Sequence, residues 1–342
     1  MGRRLLQAIA GAPYGGAETF FVRLVSALQR AGEDQQVLIR RDPNRSRRLR
    51  EAGLQVTELG FRNRLDLSTH LAFRREVTRW KPSIVLTWMS RATQLCPAGD
   101  FRHVARLGGY YDLKYYRRCD HLIGNTRAIA AYAVAHGWPA ERVHYLPNFV
   151  PDLSAATAVD RATVETPEGA PIAIALGRLH PNKGFDLLLE ALARVPRLYL
   201  WIVGTGPLRR SMERRAASLG VSGRVRFLGW RDDVSGLLAT ADFLVLSSRR
   251  EPFGNVVIEA WSASKPVVAV ASDGPRELID NGENGLLVPI DVVSLAEAMT
   301  ALADDAAQRA RLAAGGRRTY EANFTEDLVV SRYRHFFDGL SV

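Results

Sequence analysis

The sequence predicts an α/β protein made of two doubly wound, Rossmann-like domains joined by a linker. Three observations carry this. Short apolar runs alternate with longer segments of helical period, the mark of a parallel sheet covered by helices on both faces. The alternation occurs twice along 342 residues, a length that suits two domains of ordinary size. Between the two sets lies "NFVPDLSAATAVDRATVETPEGAP", residues 148–171, rich in Pro, Ala and Thr and without amphipathic period.

In the first half, strands are expected at 5–10, 36–39, 55–59, 84–87, 104–107, 121–124 and 143–146. In the second they are expected at 172–176, 199–203, 225–228, 243–246, 267–270 and 286–288. Phe20, Phe21, Leu24 and Leu28 form the inward face of the first helix, and Phe185, Leu188, Leu189 and Leu192 that of a helix in the second half. The expected domains are 1–150, a linker at 151–170, a second domain at 171–324, and a terminal helix at 325–342 packing back on the first domain. Ligands of such sheets bind at the carboxyl ends of the strands, so a cleft where both sets of ends converge is the expected site.

Composition excludes several classes. With 47% hydrophobic and 24% charged residues the chain reads as soluble and globular. No run approaches the ~18 apolar residues of a membrane span, and "MGRRLLQAIAGAPYGG" lacks the features of a signal peptide, so a cytoplasmic protein is expected. Cys96 and Cys119 are the two cysteines, which excludes a disulfide framework and a cysteine-rich zinc site. Charge is uneven: residues 1–150 carry 24 Lys and Arg against 12 Asp and Glu, while 151–342 carry 22 against 24. The basic half points to an anionic partner such as nucleic acid, a membrane surface or an acidic substrate, or else to a solvated basic face.

The stretch "SSRREPFGNVVIEAWSASKPVVAV" sets Glu251 in the loop after a buried strand and Glu259 about one turn into the following helix. Between them the amides of Phe253, Gly254 and Asn255 are helix-start donors, and Gly254 lets a ligand come close to the backbone. Carboxylates accept hydrogen bonds from vicinal hydroxyls, so Glu259 suits a ribose diol and Glu251 a hexose hydroxyl; two solvated glutamates would read the same. A second loop, in "IAIALGRLHPNKGFDLLLEALARV", places Arg178 and Lys183 at a strand's carboxyl end beside a helix start, a ready diphosphate clamp. A third, "IVGTGPLRRSME", brings Gly204 and Gly206 to the same edge without the third glycine of a dinucleotide fingerprint. Together these describe a site for a nucleoside diphosphate sugar.

In order, "GRLHPNKGFDLLLEAL", "IVGTGP", "VRFLGWRDDV", "EPFGNVVIEA", "KPVVAVASDGPRELI" and "NGLLVP" resemble the donor-binding domain of the family-4 retaining glycosyltransferases, also known as glycosyl transferases group 1, which have the GT-B fold. The resemblance implies that Arg178 and Lys183 bind the donor diphosphate, that Glu259 binds the ribose, and that Glu251 contacts the sugar near its reacting carbon. It implies that Phe253 to Asn255 hold further sugar hydroxyls and that Trp230 and Arg231 lie by the base. In the first half, "IAGAPYGGAETFFVRLVSALQRAG" resembles the family's glycine loop, with Gly15 and Gly16 facing the diphosphate. Many members carry a sugar-facing histidine at the end of a strand in this domain. The comparable "VARLGGYYDLKYY" has none, leaving Tyr111 and Asp112 at that place, with a structural role for either still open; His103 enters the strand rather than leaving it.

What the resemblance implies is transfer of a hexose-type sugar from a nucleoside diphosphate sugar to a glycan or glycolipid acceptor with retention of configuration. No Asp-x-Asp pair, the usual holder of a divalent ion on a sugar nucleotide, is present, so no metal and no other cofactor is expected. Glu251 is read as positioning and electrostatic, because a nucleophile must lie on the opposite ring face from the leaving group. The rivals are a sugar-nucleotide epimerase or a non-catalytic sugar-nucleotide binder on the same fold, and a nucleic-acid-binding protein, for which no reader motif is found. The arginines at 40, 41, 45, 47, 48 and 50, followed by Arg62, Arg64, Arg74, Arg75, Arg79 and Lys81, are expected to bring the first domain against an anionic membrane surface bearing a lipopolysaccharide-type or other glycolipid acceptor, on the inner face of the cytoplasmic membrane.

Overall fold

The computed structural model describes residues 3–12, 15–63 and 65–340. Its two units are residues 1–149 with 326–342, and residues 150–325. Arg64 and residues 341 and 342, which the sequence reading placed in the basic segment and the last helix, lie outside the described residues.

Unit 1 holds a parallel sheet of seven strands, β1 (Arg4–Ile9), β2 (Asp34–Arg40), β3 (Gln55–Leu59), β4 (Ile84–Trp88), β5 (Arg102–Leu107), β6 (His121–Gly124) and β7 (Val143–Tyr145). Their order is β3-β2-β1-β4-β5-β6-β7. Unit 2 holds six, β8 (Ile172–Leu176), β9 (Tyr199–Val203), β10 (Val225–Gly229), β11 (Phe243–Leu246), β12 (Val267–Val270) and β13 (Leu286–Val288), in the order β10-β9-β8-β11-β12-β13. All thirteen strands lie within two residues of the expected positions, because each is an apolar run flanked by turn residues.

Alternate side chains leave a strand on opposite faces, and here both faces are covered. In β8, Ala173 and Ala175 join the core under helix Phe185–Leu192, whereas Ile172, Ile174 and Leu176 join the core under helix Asn255–Ser262. In β1, Leu5 and Ile9 pack with Phe20, Leu24 and Leu28 of helix Gly16–Arg30, while Leu6 and Ala8 pack with Phe73 and Val77 of helix Leu67–Trp80. The strand order reverses between β1 and β4 in unit 1 and between β8 and β11 in unit 2. Connections from the two reversed strands depart to opposite sides there, leaving a crevice at the strand ends.

The last helix, Glu326–Leu340, belongs to unit 1: Val329, Tyr333 and Phe337 are buried beside Leu5, Leu24 and Leu28. Tyr333 also accepts a 2.8 Å hydrogen bond from Arg106 Nε, a buried guanidinium stacked 4.6 Å from the Phe20 ring and 4.7 Å from Trp88. Residues 151–170, expected to be a linker, are packed onto unit 2 instead. Val164 is buried in its core, Thr166 Oγ1 accepts from Trp201 Nε1 at 2.9 Å, and Val159 N donates to Gly236 O at 3.3 Å. The few apolar residues spaced through this Pro- and Ala-rich stretch suffice to seat it without helical period.

His103, in β5, is buried, its Nε2 3.0 Å from Thr87 Oγ1, and burial pushes its pKa down to about 4 from an ordinary 6.5. The folded state therefore holds this ring neutral. Its contribution is complete above pH 6.5, is lost as pH falls toward 4, and amounts to roughly 3 kcal/mol. Urea unfolding of the full chain across that window is expected to show unit 1 weakening with acid, and His103→Gln to flatten the dependence. An unchanged slope in the variant would contradict the assignment.

Candidate functional site

At the reversal point of unit 2, the loops leaving β8, β11 and β12 are fastened backbone to backbone. Gly184, at φ +63°, ends the β8 loop where an added Cβ would lie 2.2 Å from Ser247 O of the β11 loop. Ser247 Oγ donates to Lys183 O at 2.9 Å, and Arg250 N donates to Asn182 O at 3.3 Å. On the other side, Gly274 N donates to Glu251 O at 2.7 Å, and a Cβ on Gly274 would meet Phe253 O at 2.1 Å. Arg249 adds a two-pronged ion pair with Asp186, at 2.7 and 2.8 Å, that holds the Asp186 carboxyl below the usual carboxylate range.

This fastening brings Lys183 and Glu251 together. The lysine stem lies over Gly177, whose Cβ would be 3.3 Å from Lys183 Cε, and its ammonium reaches Glu251 Oε2 at 2.5 Å. Ser248 Oγ donates to the same carboxylate oxygen at 3.3 Å. Both members of the pair are mostly buried. Arg178 sits in the same loop, exposed and without a salt bridge among the described residues.

Phe253 is buried with its ring 6.4 Å from that of Phe324, so its side chain anchors the loop. Gly254, at φ +98°, starts helix Asn255–Ser262, whose first turn has no side-chain cap. Asn255 and Glu259 are four apart on it and share a face, which puts the second glutamate on the side of the helix that begins at the loop. A cation, a carboxylate held beside it and a helix start thus meet within one loop cluster. Such a cluster can hold a diphosphate and hydroxyl groups together.

Other residues singled out in the sequence have different surroundings. Gly204 and Gly206 are packed against the β8 loop: their added Cβ atoms would meet Gly177 O at 2.0 Å and Leu179 O at 2.4 Å. Close backbone packing accounts for both glycines. Arg231, in the loop after β10, is engaged by Asp233 at 2.8 and 2.6 Å, two strands away from β8.

Gly15, Gly16, Tyr111 and Asp112 all belong to unit 1. Gly15 caps the first helix, and a Cβ there would lie 2.2 Å from Glu18 Oε2. Glu18 is buried inside the glycine turn and accepts from Ala12 N at 2.7 Å. Sequence reading missed it, although a glutamate three residues past a helix cap is the position that reaches back to free amides. Tyr111 is half-buried, with its phenol pushed up by burial, near Arg106 and Glu18. Asp112 is exposed, caps the turn Leu113–Tyr115 by accepting from Lys114 N at 3.0 Å, and pairs with the Lys114 ammonium.

The basic segment needs correction. Arg45 is buried, pairs with Asp42 at 3.4 Å and donates to Ala12 O at 2.5 Å, so it braces the glycine turn and cannot face a membrane. Arg47 and Arg50 lie opposite Glu51 and Glu58 at 3.9 and 3.6 Å. Helix Pro43–Glu51 therefore presents less free positive charge than its sequence suggests.

Comparison with known proteins gives the same picture along the whole chain. Residues 170–305 match the family described as glycosyl transferases group 1, and residues 14–152 match glycosyltransferase family 4. The lipopolysaccharide core biosynthesis glycosyltransferase LpsE of Rhizobium meliloti is 40% identical over 93% of this chain and 94% of its own length. LpsD of the same organism is 38% identical over 95% of each. The crystal structure of Anabaena HepE with UDP and glucose superposes with a TM-score of 0.84 at 20% identity, over 98% of this chain and 100% of that one. This likeness shows the GT-B fold.

Gly184 offers a direct test of the loop cluster. Gly184→Ala is expected to keep native far-UV circular dichroism and to lose about 2–3 kcal/mol of stability. Gly220→Ala, at a similar φ of +69° but with nothing within 4 Å of the added carbon, should cost about 1 kcal/mol. Equal losses in the two variants would show that the close approach of the β8 and β11 loops adds no constraint at Gly184.

Proposed function

The chain belongs to the group 1 glycosyltransferases, with an amino-terminal half of family 4, and on that premise we propose that it transfers a hexose-type sugar, with retention, from a nucleoside diphosphate sugar to a lipopolysaccharide core acceptor. The observation that carries the donor assignment is the Lys183–Glu251 pair, 2.5 Å apart at the reversal point of unit 2, beside Arg178 and an uncapped helix start. The acceptor assignment is supported by the two Rhizobium relatives, both named for lipopolysaccharide core biosynthesis. No helix among the described residues is long and apolar enough to cross a membrane, and a lipid-linked acceptor would place the protein at the inner face of the cytoplasmic membrane as a peripheral enzyme.

In this reading, unit 2 takes the donor and unit 1 the acceptor. As the glycosidic bond breaks, negative charge grows on the leaving diphosphate, and the fixed cations Arg178 and Lys183 with the helix-start amides stabilise it without rearranging. Lys183 turns from Glu251 to the diphosphate, and Glu251 then accepts hydrogen bonds from sugar hydroxyls beside the reacting carbon. Glu259 accepts from the ribose diol. Two cations and a helix end supply the charge that a divalent ion would otherwise bring, so transfer proceeds without metal.

Two measurements test this. Glu259→Ala is expected to weaken UDP and donor binding about tenfold with little change in turnover, because a ribose contact is made equally in ground and transition states. Glu251→Ala is expected to lower turnover by about 100-fold or more with a smaller effect on UDP binding. Wild-type turnover and affinity in both variants would remove the assignment.

Transfer is further expected to survive excess EDTA and to give a product whose new linkage keeps the donor's anomeric configuration by NMR. Activity lost to EDTA and restored by magnesium or manganese would overturn metal independence. An inverted product would overturn retention, and conversion of the donor without acceptor would point to an epimerase.

A further inference from the structure

The three most exposed large apolar residues among those described are Leu65, Leu67 and Leu71, at 77%, 73% and 63%, and they fall within one seven-residue stretch of unit 1. Single exposed leucines are ordinary, but three in one place are not. Their scaffold is rigid. Phe61 is buried at the start of the segment, its N donating to Thr69 Oγ1 at 3.0 Å and its O accepting from Arg91 Nη1 at 3.1 Å. Asp66 caps helix Leu67–Trp80 by accepting from Thr69 N at 3.1 Å, and its other oxygen accepts from Arg62 N at 3.0 Å, so its carboxylate is turned to the helix end.

Leu67 and Leu71 are four apart and lie on a different face from buried Phe73 and Val77. Exposed Arg74 and Arg75 continue the same stripe. On the other flank, Leu65 lines a cavity of about 540 Å³ together with Lys114, Arg117 and Arg118. Leucines between two groups of cations match a surface that is apolar inside and anionic at its rim. Tyr115 also lines that cavity, its ring 4.9 Å from the Lys114 ammonium, so the patch offers one aromatic residue against three leucines.

We propose that unit 1 docks on an anionic lipid bilayer through Leu65, Leu67 and Leu71, with Arg74, Arg75 and Arg117 against the head groups. This moves the membrane contact from helix Pro43–Glu51 to the opposite face of the sheet, since Leu49 packs with the core of helix Gly16–Arg30, and Phe73 and Val77 pack under the other face. Basic side chains attract the protein to the surface, and partial burial of the leucines keeps it there when salt screens the charges. The inference deepens the glycolipid-acceptor reading by naming the surface that would bring unit 1 to such an acceptor, but it can be tested without donor or acceptor.

Cosedimentation of the full chain with vesicles of phosphatidylcholine, alone or mixed with phosphatidylglycerol, decides it. Binding is expected to the mixed vesicles only, with part of it surviving high salt. Leu67→Ser with Leu71→Ser should weaken it at least about tenfold and abolish the salt-resistant part. Arg74→Gln with Arg75→Gln should weaken it at low salt. Arg47→Gln with Arg48→Gln, on the opposite face, should leave it unchanged. All variants should keep the parent's UDP thermal shift, so a lost membrane contact is separable from a lost donor site. Equal binding to both vesicles, no binding to mixed vesicles at low salt, parental binding by the double-leucine variant, or a dimer in sedimentation velocity that this variant dissociates would each overturn the proposal.

Discussion

Two carbonyl oxygens, those of Ser247 and Phe253, occupy the space in which Gly184 and Gly274 would carry a β-carbon, at 2.2 and 2.1 Å. The arrangement of unit 2's site depends on this crowding. With no side chain at either place, the loops leaving β8, β11 and β12 lie against one another and exchange backbone hydrogen bonds. Lys183 and Glu251, 68 residues apart in sequence, thereby come to 2.5 Å. The core beneath transmits the same constraint: Phe253 is drawn inward against Phe324, which fixes where the helix carrying Asn255 and Glu259 begins.

How much of this could be read beforehand differs by type of information. Strands such as β8 and β11 are short apolar runs with a local signal, and all thirteen were legible. The Lys183 and Glu251 loops were legible as loops, because charged and glycine residues interrupt apolar runs at a strand's carboxyl end. Their contact was not, since nothing local in "NKG" reports the carbonyl of Ser247. Gly204 and Gly206 show that one residue type can carry two signals. A glycine can mark a ligand's approach or the approach of another backbone, and here the other backbone is Gly177 to Leu179. Residues 151–170 misled because sparse apolar residues can seat a segment without producing any period.

Unit 1 repeats the lesson with charge in place of shape. Its excess of arginine was legible as a number, but two of the most informative arginines are buried. Arg106 stacks on Phe20 and Trp88 and donates to Tyr333, fastening the final helix, and Arg45 braces the turn that encloses Glu18. Neither contributes to a surface field. The formal balance of a domain overstates the charge that a partner can meet, and the remaining exposed cations matter by position. Arg74, Arg75 and Arg117 lie beside the exposed leucines, whereas Arg47 and Arg50 lie opposite glutamates on their own face.

The Lys183–Glu251 pair also has an electrostatic consequence for the transferase reading. A mostly buried lysine facing an approaching diphosphate would bind it strongly from the outset, and binding equally tight before and during bond cleavage gives no acceleration. Pairing the lysine with Glu251 removes part of that ground-state attraction, because the donor must compete with a carboxylate already in place. The competition weakens as the glycosidic bond breaks. Charge accumulates on the diphosphate and draws the ammonium, while positive charge develops at the sugar carbon and favours the carboxylate left behind. In the proposed transfer, one ion pair that separates along the reaction would thus stabilise both emerging charges.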